Sequence, residues 1–523
     1  MSFKQTALGW ALSVGLMSSV SAASIDPAWL TSTVREQLAM SGVPGLSIAV
    51  VSQGRPDYVR GFGVRSAGSS EPVDERTQFK INSITKSMLA TAIAVEVDRG
   101  VVRWTDRLSE LYPSFQLKDP WVSREATLQD ALSHRIGVEA NDWLDDIPGV
   151  TLDDAIGRLR YLPQQAPFRA EFVYDNFMFS AAGVAASARS GGWKRVLQKN
   201  LLEPLGMQAT TADFDDNVRP SELAPCSACE INHPPLGSAA LRTPMNVAIP
   251  HTLVGTTVRP MHWARSITGP AGGLWSTAQD MARYLKLYLN DGVVDGTRVL
   301  STEAMRTLGK PVMYRTDKRT PDVTRGPQYV RRASQFGWHY GLGWEISQYL
   351  GHRIIHNSGK SAGFRSQVMV LPDDGLAIVV MANAGDGTVD ITRFLALDII
   401  ERALKIAPYH WTRNEVAFMT KAAAPIATPP LKPSPINAAS YVGTYVHAAY
   451  GEMHITQASD GALHVDQGPM RTGTLRALQP GALELTWQGI RPGPYLVSVV
   501  VDQDGVAQAL EVRGQRFDRA PAR

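Results

Sequence analysis

The chain has few cysteines, little net charge and no dense run of basic residues, and each shortage excludes a class of protein. Only two of the 523 residues are Cys, which excludes a disulfide-dense secreted scaffold. The net charge is +3, without a Lys/Arg stripe, so nothing in the sequence attracts nucleic acid. With 44% apolar and 19% charged residues, the composition is that of a globular protein, and its length predicts two or three domains.

An apolar segment at the N-terminus has the features of a targeting signal. Lys4 precedes an apolar, small-residue run from Ala7 to Val20, and Val20-Ser21-Ala22 fits the rule for signal-peptide cleavage. The run is too short and too rich in small residues for a stable membrane span. We interpret residues 1–22 as a cleavable signal peptide, which predicts a periplasmic or secreted protein. An uncleaved N-terminal anchor is the alternative.

The two cysteines, Cys226 and Cys229, form a C-x-x-C pattern in a stretch whose neighbouring prolines are typical of a loop. In an oxidising compartment a local disulfide is the first interpretation, and free thiols are the second. A zinc site would need more ligands than two thiols and His233. We therefore predict no metal and no cofactor.

Strand patterns stand at both ends of residues 23–408, with mostly helical patterns between them. They run over 43–51 and 58–64, and again from 343 to 382. This predicts an α/β (α+β) fold, with one antiparallel sheet flanked by helices and a helical subdomain. Five prolines between Ala422 and Pro435 predict a stiff linker, assigned to 409–435. Seven short alternating strands in 436–523 predict a small all-β, lipocalin-like barrel.

The most informative motif is Ser83-Ile84-Thr85-Lys86, at the start of a helical pattern. Residues three apart share one face of a helix, so the amine of Lys86 comes within reach of the Ser83 hydroxyl. A serine needs such a base to act as a nucleophile, and a helix N-terminus favours a developing oxyanion. Taken alone, the tetrad is more typical of an N-cap serine followed by a solvated lysine.

Three further segments follow in order: Tyr174-Asp175-Asn176, Gly269 to Met281, and His356 to Phe364. With them, residues 30–405 resemble the serine β-lactamase and penicillin-binding-protein-like hydrolases, a group that includes class C β-lactamases, esterases and D-amino-acid peptidases. The resemblance implies that Ser83 is the nucleophile and that Tyr174 carries a proton beside Lys86. Asn176 would orient Lys86 and the substrate amide. The C-terminal barrel resembles one appended to many relatives. A structural aromatic residue is the alternative for Tyr174 taken alone.

The third motif departs from the Lys-Thr-Gly or His-x-Gly of the family, because Asn357-Ser358-Gly359 occupies its place. The missing lysine would have supplied a cation, so fast β-lactam hydrolysis is not expected. His356 could replace it only with a register shift, which turns a side chain to the other face of the sheet. A buried structural histidine is an equal alternative. The predicted substrate-binding residues are Asn176, His356, Asn357, Ser358, Gly359 and Lys360, with the N–H groups of Ser83 and Lys360 as the oxyanion hole.

The resemblance implies an exported serine hydrolase that cleaves amide bonds of small or unusual peptides through an acyl-enzyme. Linear, D-residue-containing or opened cyclic peptides are the expected substrates. A carboxylesterase acting on short acyl esters and a penicillin-binding module with low turnover are the alternatives. The sequence does not predict an oligomeric state.

Overall fold

The computed structural model describes residues 25–140, 142–147, 149–214, 246–254, 256–261, 266–315, 328–329, 332, 339–385, 387–422, 437–468, 471–479, 481–487 and 494–521. The predicted signal peptide, residues 1–22, lies outside these ranges, as does the pair Cys226 and Cys229. Residues 423–435 of the predicted linker lie outside them as well.

Strands from both ends of the N-terminal unit join in one sheet. The strands before the barrel are β1 Gly45–Ser52, β2 Tyr58–Gly63, β3 Phe79–Lys80, β4 His251–Val254, β5 Thr257–Pro260, β6 Trp275–Ser276, β7 Val293–Val294, β8 Thr297–Arg298, β9 Met313–Tyr314, β10 His339–Tyr340, β11 Glu345–Tyr349, β12 His352–Lys360, β13 Arg365–Leu371 and β14 Leu376–Ala382. Eight of them form an antiparallel sheet in the order β2-β1-β14-β13-β12-β11-β10-β9. Early strand β1 pairs directly with late strand β14, so the predicted sheet is confirmed.

Both faces of this sheet are covered, which explains why its central strands are apolar without interruption. Every residue of β1 is buried. Ala49 and Val51 face one apolar core, and Leu46, Ile48 and Val50 face the other. The sheet therefore separates two helical layers.

The helices are α1 Pro27–Ser41, α2 Ile84–Asp98, α3 Leu108–Leu111, α4 Pro120–Glu125, α5 Leu128–Leu132, α6 Leu152–Arg158, α7 Asn176–Ser187, α8 Trp193–Leu197, α9 Glu203–Leu205, α10 Ala278–Leu289, α11 Thr302–Leu308, α12 Ile391–Ala403 and α13 Trp411–Ala422. Helices α1, α12 and α13 cover one face of the sheet. Helix α2 packs on the other face, next to the helical subdomain formed by α3 to α9. Within the described ranges, no helix combines the length and the apolar character needed to cross a bilayer.

The segment predicted as a linker begins with a packed helix, α13. Trp411 is 3% exposed, and its N–H donates to Asp398 Oδ1 over 2.7 Å. The prolines on which the linker prediction depended begin only at Pro425, so they do not interrupt this helix. Residues 411–422 thus belong to the N-terminal unit rather than to a connector.

The C-terminal segment closes into a barrel of eight strands, in which each strand pairs with the next and the last pairs with the first. The strands are β15 Gly443–His447, β16 Gly451–Gln457, β17 Leu463–Asp466, β18 Thr472–Gln479, β19 Ala482–Trp487, β20 Tyr495–Val501, β21 Ala507–Val512 and β22 Gln515–Arg519. The all-β barrel is confirmed, but the sequence predicted only seven strands. The eighth, β22, follows a tight turn in which Arg513 and Gly514 have φ values of 53° and 80°.

Candidate active site

Ser83 occupies the cap position of α2, and its side chain makes no capping hydrogen bond. Asn82, just before it, has a left-handed backbone with φ of 51°, which turns the chain sharply from β3 into the helix. The Ser83 hydroxyl is therefore directed elsewhere: the residue stands at the N-cap, as the alternative had it, but its hydroxyl does not cap the helix.

Lys86 lies beneath Ser83 and is fully buried. Its Nζ lies 3.0 Å from Ser83 Oγ, 2.6 Å from Asn176 Oδ1 and 2.7 Å from the carbonyl oxygen of Ala271. The last two atoms only accept hydrogen bonds. When the amine is neutral, its two N–H groups satisfy them, and its lone pair is left facing the Ser83 hydroxyl. The geometry therefore suits Lys86 as a base.

The surroundings of Lys86 favour that neutral form. Burial lowers the pKa of Lys86 from its ordinary value to about 7, although the negative charges of Asp142 and Asp175 oppose the change. With that pKa, roughly half of the molecules carry a neutral amine at pH 7.

Tyr174 contacts Ser83 from the other side, and its hydroxyl donates to Ser83 Oγ over 2.9 Å. Burial raises the pKa of Tyr174, so its phenol stays protonated at neutral pH. Its ring lies 4.9 Å from Lys86 Nζ and 4.3 Å, between centroids, from the His134 ring. Tyr174 is therefore placed to donate a proton, whereas Lys86 is placed to accept one.

The spacing Tyr174-Asp175-Asn176 follows from the local backbone. Asp175 is extended, so the residues on either side of it point to the same side of the chain. The Asp175 carboxylate caps α7 by accepting from Met178 N–H, and its own N–H donates to His134 Nδ1. His134 thereby ties the loop after α5 to the start of α7.

Two groups of the site were not recognised in the sequence. Asn176 Nδ2 donates to Asp142 Oδ1 over 2.8 Å, and Asp142 belongs to a 3₁₀ helix, Asp142–Asp146. The carbonyl of Ala271, an acceptor for Lys86, comes from the 3₁₀ helix Gly269–Ala271. The segment around Gly269 was singled out as a motif, but nothing in the sequence near Asp142 indicated a role.

The third motif lies on β12, alongside Ser83. Asn357 Nδ2 donates to the carbonyl oxygen of Ser83 over 3.1 Å and to that of Gly343 over 2.8 Å. The Asn357 side chain thus ties β12 to the start of α2. It supplies no cation at the position where a Lys-Thr-Gly motif would place its lysine.

The last residues of β12, from Asn357 onward, extend past its pairing with β11. Among the described strands, β11 pairs with β12 only as far as His356, so residues 357–360 pair with β13 alone. Ser361 N–H donates to the Phe364 carbonyl on the β13 side, and N–H groups alternate between the two edges of a strand. The N–H of Lys360 therefore points away from β13.

Gly359 permits the close approach of β12 to the segment that precedes Ser83. A Cβ atom on Gly359 would lie 2.0 Å from the carbonyl oxygen of Ile81. Only glycine fits there, so this position of the motif has a steric cause.

The structure does not bring the His356 side chain to Ser83. Its Nε2 lies 3.1 Å from Ser347 Oγ on β11, and it alternates along β12 with Asn357, which faces Ser83. The alternative of a buried structural histidine describes these surroundings. Ser358 and Lys360 have exposed side chains. Ser83, Lys86 and Tyr174 form one cluster, called the Ser83 cluster below. Of the predicted binding residues, the structure therefore places Asn176, Asn357 and Gly359 next to it.

Comparisons with known proteins bear on the family and the fold of the chain. The family model described as Beta-lactamase matches residues 30–399. The chain is 25% identical over 445 residues to an unguisins hydrolase of Aspergillus campestris, covering 81% of this chain and 76% of that protein. It is 27% identical over 414 residues to penicillin-binding protein 4 of Amycolatopsis lactamdurans, covering 77% of this chain and 93% of that protein.

Two solved structures share the fold. The octameric penicillin-binding protein homologue from Pyrococcus abyssi has a TM-score of 0.58 at 19% identity, covering 94% of this chain and 100% of that chain. The D-amino acid amidase from Ochrobactrum anthropi SV3 has a TM-score of 0.54 at 19% identity, covering 73% of this chain and 98% of that chain.

Proposed function

The chain belongs to the Beta-lactamase family of serine hydrolases, and we propose that it is an exported amidohydrolase that cleaves small or unusual peptides through an acyl-enzyme on Ser83. One observation carries the proposal: Ser83 Oγ lies 3.0 Å from Lys86 Nζ and 2.9 Å from Tyr174 OH. A hydroxyl between a base with a lowered pKa and a neutral phenol has both proton-transfer partners needed for acyl transfer. The similarity to the unguisins hydrolase of Aspergillus campestris supports catalytic turnover rather than substrate binding alone.

Acylation begins with neutral Lys86. Its lone pair takes the Ser83 hydroxyl proton while Oγ bonds to the substrate carbonyl carbon. The carbonyl oxygen then carries the negative charge, and the N–H groups of Ser83 and Lys360 are the proposed donors to it.

Collapse of this intermediate expels the amine. Tyr174 donates its proton to the leaving nitrogen as the C–N bond breaks, and the proton held on Lys86 restores the phenol. Water then attacks the ester, a water proton passes through the same groups, and the Ser83 hydroxyl is regenerated. The net reaction is hydrolysis of an amide without a cofactor.

The third motif limits the substrates that fit. Both N–H groups of Asn357 Nδ2 are directed at backbone carbonyls, so this residue offers no positive charge to a substrate carboxylate. Penicillins and cephalosporins carry such a carboxylate on the ring carbon attached to the lactam nitrogen. We therefore expect slow or absent turnover of cephalosporins.

A substrate panel tests the proposal. Initial rates would be measured for D-aminoacyl amides, linear peptides, p-nitrophenyl esters and a chromogenic cephalosporin, with the parent protein and Ser83→Ala. We expect amide hydrolysis with the highest kcat/KM, abolished in the variant. Turnover of esters alone would instead indicate a carboxylesterase, and an acyl-enzyme burst without turnover would indicate a penicillin-binding module.

Export is the second part of the proposal, and it rests on the composition of residues 1–22. Expression of the full chain in a Gram-negative host, followed by fractionation and N-terminal sequencing, tests it. We expect a periplasmic or secreted product that begins at Ala23. A product in the cytosol with its N-terminus uncut would refute export without affecting the chemistry.

A further inference from the structure

Two consecutive residues connect the Ser83 cluster to the C-terminal barrel. Asp142 accepts the hydrogen bond from Asn176, while Trp143 is 4% exposed and packs against the barrel. The Trp143 ring lies 5.7 Å from the Tyr450 ring and 6.3 Å from the Phe517 ring of the barrel, between centroids. The guanidinium groups of Arg471 and Arg513 lie 4.6 Å and 5.4 Å from its centroid. The barrel thus encloses the residue next to Asp142.

We propose that Asp142 is a positioning residue for Lys86, and that the barrel holds Asp142 in place by enclosing Trp143. The inference deepens the proposed function, since it rests on Lys86 acting as the base.

The first step of the argument concerns the orientation of the Asn176 amide. An amide presents either its oxygen or its NH₂ group to a neighbour, and only the oxygen can accept from Lys86. The Asp142 carboxylate accepts and cannot donate, so it draws the NH₂ group of Asn176 toward itself. The oxygen is thereby turned to Lys86, which frees the lone pair of the lysine for Ser83.

The second step concerns charge. The groups that face Lys86 are Asp142 from the 3₁₀ helix, Asp175 before α7, Tyr174 beside it, and His134 after α5. Burial holds the pKa of His134 well below its ordinary value, and that of Tyr174 above its own, so both are neutral. The two carboxylates are therefore the charges that raise the pKa of Lys86 against burial. Loss of the Asp142 charge lowers that pKa.

The third step concerns the barrel. Burial raises the pKa of Tyr450, and the negative charges of Glu139, Asp175 and Asp142 raise it further. The Tyr450 side chain is thus close enough to Asp142 and Asp175 for their negative charges to raise its pKa. Asp145 holds the same 3₁₀ helix from the other side by accepting from Ile267 N–H over 2.7 Å. Trp143 lies between Asp142 and Asp145 in this 3₁₀ helix. Its contact with the barrel therefore determines where Asp142 is placed.

The experiment compares full-length Asp142→Asn with the parent and with Asp153→Asn, which removes an exposed carboxylate from the same subdomain. The second-order rate of Ser83 labelling by a fluorophosphonate is measured from pH 5 to 9. For Asp142→Asn we expect a plateau about tenfold lower, as for a lost charged hydrogen bond, and a midpoint moved to lower pH. Asp153→Asn should match the parent.

The outcomes separate this inference from the function on which it rests. Absence of labelling in the parent would refute the proposed function itself. A reactive parent with an unchanged Asp142→Asn profile would overturn the role of Asp142. A slower Asp142→Asn with an unmoved midpoint would also overturn it, because damage to packing alone does not shift the titration of Lys86.

The barrel is tested with Tyr450→Leu against Tyr445→Leu. Both tyrosines are buried, but the Tyr445 hydroxyl bonds to Tyr441 within the barrel. We expect slower labelling and a lower midpoint for Tyr450→Leu alone, with both variants folded by circular dichroism. Equal profiles in folded proteins would overturn the contribution of the barrel.

If Tyr450→Leu does not fold, exposed Arg513→Ala is compared with Arg516→Ala. Arg513 lies over Trp143, whereas Arg516 bonds to Asp518 within the barrel. Slower labelling for Arg513→Ala alone supports the contact, and identical rates overturn it.

Discussion

The pH dependence of Ser83 acylation follows directly from the burial of Lys86. With a pKa of about 7, roughly half of the lysine is neutral at pH 7, and roughly 1% at pH 5. An exposed lysine would be neutral in roughly one molecule in three thousand at pH 7. Burial therefore increases the fraction of usable base by about 10³-fold. The acylation rate should rise about tenfold per pH unit below pH 6 and level off above pH 8.

The assay is pseudo-first-order labelling by a fluorescent fluorophosphonate from pH 5 to 9, at constant ionic strength. Lys86→Arg keeps a positive charge but cannot lose its proton, so it should react at least about 10²-fold more slowly. Lys199→Arg is the matched control, because Lys199 is exposed and paired with Glu203. A rate that is flat from pH 5 to 8, or a Lys86→Arg variant within tenfold of the parent, would refute the neutral-amine mechanism.

Three further predictions concern the leaving group, the third motif and the helical layer. Tyr174→Phe should lower kcat for an amide by about 10²–10⁴-fold and spare the acylation burst with p-nitrophenyl esters, whose leaving group needs no proton; an equal loss in the burst would contradict this role. Gly359→Ala places a Cβ 2.0 Å from the Ile81 carbonyl, so labelling of Ser83 and the melting temperature should both fall, and unchanged values would contradict the steric argument. Burial raises the pKa of the Asp398 carboxyl group in the folded protein to about 6. The protonated carboxyl therefore contributes stability that is fully present below the pKa it has in the unfolded chain, and that stability is lost as pH rises through 6. The free energy of unfolding of Asp398→Asn, measured by denaturant titration, should therefore gain on that of the parent between pH 4 and 7, by up to about 3 kcal/mol, and a constant difference would refute the coupling.

Periodicity in the sequence was sufficient to predict the architecture. The apolar strands of the sheet and the alternating strands of the barrel have patterns that local sequence carries, and the structure confirms both. Strand β22 was missed because Phe517 is its only apolar residue, so its alternation is weak. Helix α13 was missed because its packing depends on Asp398 and other distant partners rather than on local pattern.

The candidate site likewise contains residues that the sequence predicts and residues that only the tertiary structure identifies. Ser83 and Lys86 are one helical turn apart, so their contact follows from sequence spacing. Tyr174 came from resemblance to a family, since its approach to Ser83 spans 91 positions of the chain. No sequence pattern marked Asp142, because its link to the site is a hydrogen bond to Asn176, 34 positions away in the chain. Local spacing thus predicts the nucleophile and base, whereas tertiary contacts supply the groups that orient them.

Identification of the labelled residue tests the central claim most directly. The parent and Ser83→Ala would be treated with a fluorophosphonate, digested with trypsin and analysed by mass spectrometry. We predict one adduct per chain, on the peptide from Ile81 to Lys86, with fragment ions that assign it to Ser83. The variant should carry no adduct and should lose amide hydrolysis while its melting temperature stays close to that of the parent. An adduct on another residue, or a Ser83→Ala variant that still hydrolyses the substrates of the parent, would contradict the account.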